Sequence, residues 1–373
     1  MKFYKESFNN NKGAGTGKVL LLGLLGLMTF SGCKKLYDLP EEKDYLSNNI
    51  NYSSKVFEPV LGRTAIMGNF NPDNSTQPLT FEIVNPRYGN GKELTDLFQV
   101  QPVYVWTAEY NGLEKSLEEI EAKRKIENHP LFEVTESGEF IIWAAATDAL
   151  VPPRATDSSD LVQDKRYFDL RVKNSGGEII LRDFQVRPWR ERPYEPSTDL
   201  NLYTGGIAPD PTDPLNPRKR DYIRPSILDN VIGELSNTAL VSNDARKDVV
   251  VFIRPFEGGN GHSLRFKFLD KNENPINPAM FNETRWDQII HGFNRVTTPE
   301  YVQYDVAYPI PLTAKSTAYT NGSNAHVEFS YSRRAFGGGR TIGKFGLDFS
   351  IYRPGDWEIV FYFRTDNPKF EDE

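Results

Sequence analysis

The chain has 373 residues, with 44 Lys and Arg against 51 Asp and Glu, which gives a formal net charge of −7. Such an acidic balance argues against nucleic acid and against a polybasic membrane surface as partners. A single cysteine excludes an internal disulfide. Stability must therefore come from packed cores, for which 24 Phe, 18 Tyr and 5 Trp supply large apolar surfaces.

The first 33 residues have the pattern of a lipoprotein signal peptide. Lysines precede an apolar run at residues 19–30, which ends in the small pair Ser31 and Gly32 directly before Cys33. This run is too short to span a bilayer of roughly 30 Å as a helix. Because residues 30–33 look like a lipobox, we predict that a signal peptide at residues 1–32 is removed and that Cys33 carries palmitate and other acyl chains.

Residues 33–55 are predicted to form a flexible tether between the lipid and the folded body. After the cysteine come Lys34, Lys35 and Leu36, and acidic residues begin at Asp38. This start resembles that of many Bacteroidetes outer-membrane lipoproteins, including those encoded with glycan-uptake systems. The resemblance implies an outer-membrane location. Both the cell surface and the periplasmic face remain as alternative positions, because Lys34 and Lys35 stand where surface-exported members of that group carry acidic residues.

Residues 56–188 show the alternation expected of an N-terminal β-sandwich domain. Apolar and polar residues alternate at residues 80–84, 103–106, 139–143 and 168–172. A hairpin is predicted between residues 167–173 and 178–186, with positive φ at the glycines of its turn. One helix is predicted between Asn111 and Pro130, because Leu113, Leu117 and Ile120 recur on one face.

A proline-rich passage divides the chain. Eight prolines fall within residues 188–225, and apolar residues there recur with neither the period of a strand nor that of a helix. A stretch of this length without secondary structure is uncommon inside a compact domain. We therefore predict that residues 189–225 connect two domains.

Residues 226–373 are predicted to form a C-terminal β-sandwich domain. Strands are expected at residues 248–254, 263–269, 301–308, 326–332, 345–352 and 357–364. The last of these is nearly all apolar, which favours a position inside a sheet. Ser226 and Asp229 predict one short helix that runs to Leu235. The expected fold is thus mostly β, with two Ig-like or jelly-roll-like β-sandwich domains and one or two short helices.

Motifs for cofactors or metals give no support for a catalytic centre. Residues 338–344 have the glycine and lysine spacing of a phosphate-binding loop, but Phe345 stands where Ser or Thr is required. A glycine hairpin is the preferred interpretation. The four histidines are scattered, and the turn that begins at Asp270 lacks the glycine and late Glu of a calcium loop. No cofactor and no metal are expected.

Aromatic residues in irregular, polar surroundings are the candidate ligand-binding residues. A sugar ring presents an apolar face that stacks on an aromatic plane, while its hydroxyl groups bond to nearby polar side chains. Trp189 and Trp286 lie in such surroundings, and Tyr194 and Tyr203 are weaker candidates. For Trp189 and Trp286, packing between domains is the alternative and commoner role.

The predicted mature chain, with its strand-rich end at residues 357–364, resembles an uncharacterised family of Bacteroidetes outer-membrane lipoproteins that is defined as a domain of unknown function. Its architecture is similar to that of accessory lipoproteins in glycan uptake. The resemblance implies a non-catalytic protein that binds polysaccharide beside outer-membrane uptake proteins.

Two other functions remain open. A fimbrial or adhesive subunit would also be a two-domain β-sandwich lipoprotein, and Arg63 lies where an arginine-specific cut could free a first strand. A glycan-acting hydrolase would place carboxylates in a cleft between the domains.

Overall fold

A computed structural model describes residues 43–153, 165–198, 201, 206, 215 and 221–372. The predicted signal peptide, the lipidation site Cys33, the candidate residue Tyr203, and parts of the tether and of the proline-rich connector lie outside the described residues. Within the described part of the chain, no helix is both long enough and apolar enough to cross a membrane.

The described residues are mostly strand, which confirms the predicted fold class. The strands of the N-terminal half are β1 (Asn51–Tyr52), β2 (Val56–Phe57), β3 (Ala65–Met67), β4 (Phe70–Asn71), β5 (Thr80–Tyr88), β6 (Val100–Trp106), β7 (Arg124–Pro130), β8 (Phe132–Val134), β9 (Phe140–Ile142), β10 (Arg166–Asn174) and β11 (Gly177–Val186). The later strands are β12 (Tyr194–Glu195), β13 (Ile227–Asp229), β14 (Val249–Pro255), β15 (Ser263–Leu269), β16 (Gly292–Thr297), β17 (Tyr301–Val306), β18 (Thr320–Asn321), β19 (Asn324–Arg334), β20 (Arg340–Ile351) and β21 (Trp357–Phe363). The helical segments are α1 (Leu117–Glu121) and the 3₁₀ turns Asp96–Phe98, Pro278–Met280 and Trp286–Gln288.

The N-terminal half packs several small sheets around aromatic rings. Its largest sheet has the order β2-β11-β10-β5, and β3, β9 and β8 form a second sheet. Phe140, Phe168 and Phe184 are fully buried between them, with ring centroids 5.1–5.6 Å apart. The predicted β10–β11 hairpin is confirmed. Positive φ at its glycines was wrong, because neither Gly176 nor Gly177 has one.

Asp169, a buried residue on the middle strand β10, joins the two neighbouring strands. The pairing slips by one residue on each side of it, at Asn85 in β5 and at Asp183 in β11, and both have positive φ. The Asp169 carboxylate accepts hydrogen bonds from the Asn85 side chain (3.1 Å), from Arg87 (3.3 Å) and from the Asp183 amide (3.0 Å). Burial acts to raise the pKa of Asp169, but these donors outweigh it and lower the pKa.

The helix predicted between Asn111 and Pro130 is only five residues long. Helix α1 covers Leu117–Glu121, with Ser116 as its N-cap, and the chain then enters strand β7. Strand β7 pairs with β6 over seven residues, from Trp106 opposite Arg124 to Val100 opposite Pro130. Pairing between strands thus overrides the helical pattern of apolar and charged residues.

The C-terminal half is built from two sheets that share one core. One sheet has the order β14-β21-β15-β17-β16, and the other has the order β12-β20-β19-β18, with β13 paired to β20. Rings from both sheets meet in the core, where Phe268 and Phe329 lie 4.9 Å apart and Phe345 and Phe361 lie 5.2 Å apart. The interior position predicted for the final strand is confirmed, because β21 lies between β14 and β15.

The helix predicted from Ser226 to Leu235 was wrong. Residues Ile227–Asp229 form strand β13 instead, opposite residues 344–346 of β20. The backbone of Ser226 donates to the carbonyl of Gly346 and so starts this pairing. A free edge of β20 therefore attracts a segment whose local pattern suggested a helix.

Strand β16 is an edge strand with a bulge. Phe293 pairs with Asp305 and Val296 with Gln303, so that β16 carries one residue more than β17 between these pairs. Asn294 has a positive φ of 50°, and its side chain donates to Asp305 over 2.8 Å. The bulge turns polar groups outward at this edge.

The described core residues fall into two large clusters, one within residues 50–186 and one within residues 223–363. A third, small cluster joins Tyr110 and Ile120 to Ala307. Residues 45–373 form one compact unit. The organisation into two domains stays a prediction.

Replacement of Gly346 by Ala should destabilise the protein strongly. A Cβ atom at this position would overlap the carbonyl oxygen of Val327 in the neighbouring strand. Forced overlap in a packed region costs about 1–3 kcal/mol or more of unfolding free energy. Urea unfolding measures the loss. Gly339→Ala is the matched control, because a Cβ there meets no atom within 4 Å, and an equal effect of the two changes would contradict the prediction.

Candidate functional site

A polar face lies on the outer side of strand β19. His326, Glu328 and Ser330 alternate with Val327 and Phe329, which are fully buried in the core. Since side chains alternate between the two faces of a strand, the three polar residues point away from that core. Strand β20 adds Lys344 to the same face, opposite Ser330.

The segment from Asn282 to Gln288 forms the facing wall. The hydroxyl group of Thr284 donates to the Ser330 carbonyl (3.1 Å) and accepts from the Ser330 amide (2.8 Å). The side chain of Asn282 accepts from the amide of Ser332 (2.9 Å). These bonds hold the segment along the edge of β19.

Between the two walls lies an open groove of about 460 Å³. Its volume falls within the roughly 300–1,000 Å³ that is usual for small-molecule sites. The groove is lined by Glu283, Arg285, Gln288, Ile289, Ala318, His326, Glu328, Ser330, Ile342 and Lys344.

The floor of the groove is held in place by two pairs of polar side chains. Lys344 contacts Glu328 over 2.8 Å, and Nδ1 of His326 lies 2.6 Å from Asp348. Asp348 also accepts from the side chain of Asn321 over 3.2 Å. Because a carboxylate accepts, Nδ1 of His326 carries the proton, and in the neutral ring Nε2 can accept a hydrogen bond from a ligand.

The rim carries three side chains that are free to bind. Within the described residues, the side chains of Glu283, Arg285 and Gln288 make no hydrogen bond or ion pair, and all three residues are exposed. Each ends in a planar group that can make two hydrogen bonds in one plane. The groove can therefore bind a polar ligand without breaking internal contacts at its rim.

A second pocket, beside His291, is too small to be the candidate site. Its cavity volume is about 20 Å³, which is room for about one water molecule. Nε2 of His291 donates to the carbonyl of Glu114 (2.7 Å), so Nδ1 of the neutral ring accepts from the hydroxyl group of Tyr110 (2.6 Å). Burial raises the pKa of Tyr110, which keeps this hydroxyl protonated. These hydrogen bonds join Tyr110 and Glu114 to His291, so the polar groups beside this pocket have a structural role.

Of the predicted candidates, Trp286 lies beside the groove, but its ring mainly packs against the core. Its half-buried ring lies 5.6 Å from Phe329 and 6.3 Å from Phe268. The hydroxyl group of Tyr304 donates to the Trp286 carbonyl. Trp286 therefore positions Arg285 and Gln288, and it is absent from the groove lining.

Neither Trp189 nor Tyr194 lines the groove. The side chain of Trp189 is half-buried. Its backbone pairs in parallel with Val60, and its amide donates to the carbonyl of Pro59 (2.7 Å). The ring of Tyr194 packs against Trp357 at 5.8 Å. The structure therefore does not bring these two candidates together with Trp286. Tyr203 and Cys33 lie outside the described residues.

Arg63, the position considered for proteolytic release, is held by two contacts. Its guanidinium lies 3.1 Å from Glu195 and 4.1 Å from the ring centroid of Tyr352. The segment before it contributes buried Phe57 and Leu61 to the N-terminal core. Release of this segment would thus remove core residues.

The described residues contain no group of three or more His, Cys, Asp or Glu side chains that could hold a metal ion. Asp270 instead accepts hydrogen bonds from the amides of Asn272 and Asn274, each at 2.8 Å, which confirms the predicted turn. Gly338 lies in the turn that leads into β20, as the hairpin interpretation expects.

Sequence reasoning missed the groove-lining residues themselves. Alternation at residues 326–330 was recognised as a strand, but His326 and Glu328 were not considered as a binding face. A polar outer face with several hydrogen-bonding groups was the available signal. The facing residues Glu283, Arg285 and Gln288 gave no signal, because only the folded chain places them beside β19.

Fold and groove together define a β-rich protein with an open polar groove on the outer face of one sheet. Residues 70–372 match the family model described as a domain of unknown function (DUF5007), and the chain belongs to this family. Thus the family part of the predicted resemblance is confirmed. No curated protein and no solved structure matches the chain.

Trp286→Ala should lower stability as well as disturb the groove. Loss of a large aromatic ring from a packed site costs about 2–4 kcal/mol of unfolding free energy when the ring is only partly buried. Chemical unfolding followed by circular dichroism measures this loss. Phe336→Ala is the aromatic control, because Phe336 is 96% exposed. A stable Trp286→Ala variant would contradict the packing role.

Proposed function

We propose that this protein is a lipid-anchored outer-membrane lipoprotein that binds polysaccharide in the groove, as a non-catalytic accessory of a glycan-uptake system. The observation that carries the proposal is the set of planar side chains Glu283, Arg285 and Gln288, which have no partner among the described residues, at the rim of a groove of about 460 Å³. Such groups bind neighbouring hydroxyl groups of a sugar, each with two hydrogen bonds.

The charge of the groove favours a neutral glycan. Glu283 and Glu328 are balanced by Arg285 and Lys344. A strongly anionic chain would meet the two carboxylates, and a cationic chain would meet the two bases. A neutral, hydroxyl-rich chain can use all four groups as hydrogen-bonding partners.

The proposed lipid anchor rests on the leader pattern and on Cys33. Cys33→Ser should abolish incorporation of labelled palmitate and move the protein from the membrane fraction to the soluble fraction. Fractionation after metabolic labelling in the native host measures both. Palmitate label or membrane retention that persists in the variant would contradict the anchor.

Single replacements at the rim should weaken binding without loss of stability. A soluble form that starts at residue 34 is titrated with a panel of neutral and anionic polysaccharides. We expect Arg285→Ala and Glu283→Ala each to lower the affinity for a neutral polysaccharide by roughly tenfold to a hundredfold, since a hydrogen bond to a charged group is worth about 1.5–3 kcal/mol.

Glu300→Ala is the matched control, because it removes an exposed carboxylate from the β16–β17 turn. It should bind like the unchanged protein, and all variants should unfold at the same urea concentration. Equal binding by the rim variants would contradict the groove as the site. If no polysaccharide binds and the protein polymerises instead, the structural or adhesive function replaces the proposal.

A further inference from the structure

Residues 100–130 form a strap that contacts both halves of the protein. Strands β6 and β7 make a two-stranded ribbon, and residues 107–123 connect them as an excursion that contains α1. At one end, Arg124 donates to the carbonyl of Tyr308 (2.7 Å), and the excursion meets His291 through Tyr110. This end is therefore fastened to the C-terminal half.

The other end of the strap continues into the N-terminal core through buried Leu131, and His129 adds polar contacts there. Nδ1 of His129 lies 2.8 Å from Glu133 in β8, and Nε2 lies 3.2 Å from Glu127 in the ribbon itself. The ring also lies 5.2 Å from that of Trp143. The indole N–H of Trp143 donates to the same oxygen of Glu133 (2.8 Å).

The position of the ring between two carboxylates favours its doubly protonated form. Carboxylates accept hydrogen bonds, so only this form can donate to Glu127 and Glu133 at the same time. Burial acts to lower the pKa of His129, but the hydrogen bonds and charges of the two carboxylates outweigh it and raise the pKa above the usual 6.5.

The charged groups around His129 come from each neighbouring element. Glu127 and Lys125 lie on β7, where their side chains form an ion pair of 2.6 Å. Glu133 lies on β8, and Gln101 of β6 is the cross-strand neighbour of His129. Within the described residues, Glu133 has no ion pair other than that with His129.

Few apolar side chains of the two ribbon strands are buried: Val103 is buried, and Trp106 packs against the small cluster that contains Tyr110. On the outer face of the ribbon Val100 is 60% exposed, Tyr104 is 53% exposed and Ile126 is 61% exposed. Within the described residues, neither ribbon strand pairs with a third strand. A two-stranded ribbon is at best marginally stable by itself, so its fastenings decide whether it stays in place.

We propose that His129 is a pH-sensitive latch, which fastens the strap to the N-terminal half when the ring is charged and loosens it when the ring is neutral. Because the pKa is raised on folding, the contribution of the latch is complete below about pH 6.5 and is lost as the pH rises through the raised pKa. The neutral ring keeps one N–H group, which can still donate to Glu133, but the charge that attracts Glu133 is lost and a ring lone pair then faces Glu127.

Hydrogen exchange tests the latch. Amide exchange of peptides that cover residues 100–106 and 124–130 is measured at pH 6 and at pH 8.5, with correction for the intrinsic rates. We expect protection in these peptides to fall roughly threefold to tenfold at the higher pH, the equivalent of one net hydrogen bond. Core peptides from β21 should not change.

His129→Gln should give low protection in the ribbon at both pH values, because an amide can make only one of the two donations. The control His262→Gln replaces an exposed histidine of the turn before β15 and should retain the full pH response. Ribbon protection that does not depend on pH in the unchanged protein, or that changes equally in both variants, would overturn the latch.

A second measurement keeps the test independent of the stability of the variant. NMR titration of the histidine side chains in the unchanged protein, assigned with the two variants, reports the pKa of His129 directly. A value above 6.5 that falls in Glu133→Gln supports the latch. A value at or below 6.5 would overturn it.

Discussion

Strand β20 is the constraint on which the C-terminal half depends. It pairs with β19 along ten residue positions, and its other edge holds β13 and β12. Its inner face places Phe345, Leu347 and Phe349 in the core, while its outer face presents Lys344 to the groove and supports the groove residue His326 through Asp348. The described residues contain no cysteine, so no disulfide braces them. The packed core directly beneath the groove therefore keeps the groove rigid.

Strands were predicted correctly from the sequence where apolar and polar residues alternate clearly. Residues Ser263–Leu269 were predicted with the observed bounds, and the buried run of β21 was correctly placed inside a sheet. Prediction failed where a segment finds its partner far away in the chain. Strand β7 has charges spaced as on a helix, yet the strand β6 decides its conformation, and β13 is fixed by the free edge of β20.

The candidate site was predictable only in part, for a physical reason. An aromatic residue in polar surroundings drew attention to Trp286, which does stand beside the groove, but both its ring and its backbone are used to hold the wall. The binding groups are its neighbours Arg285 and Gln288. Whether a polar side chain is free or paired depends on contacts such as that between Thr284 and Ser330, which no local pattern contains.

The bulge at Asn294 affects whether strand β16 can pair with a second copy of the protein. An edge strand with regular hydrogen-bonding groups is a template on which another copy can add. In β16 the extra residue breaks the regular spacing, and Arg295 is turned toward Asp287, which it contacts over 2.5 Å. Two copies that meet at this edge would therefore not form a continuous intermolecular sheet, so a high local concentration of the protein is compatible with an unaggregated fold.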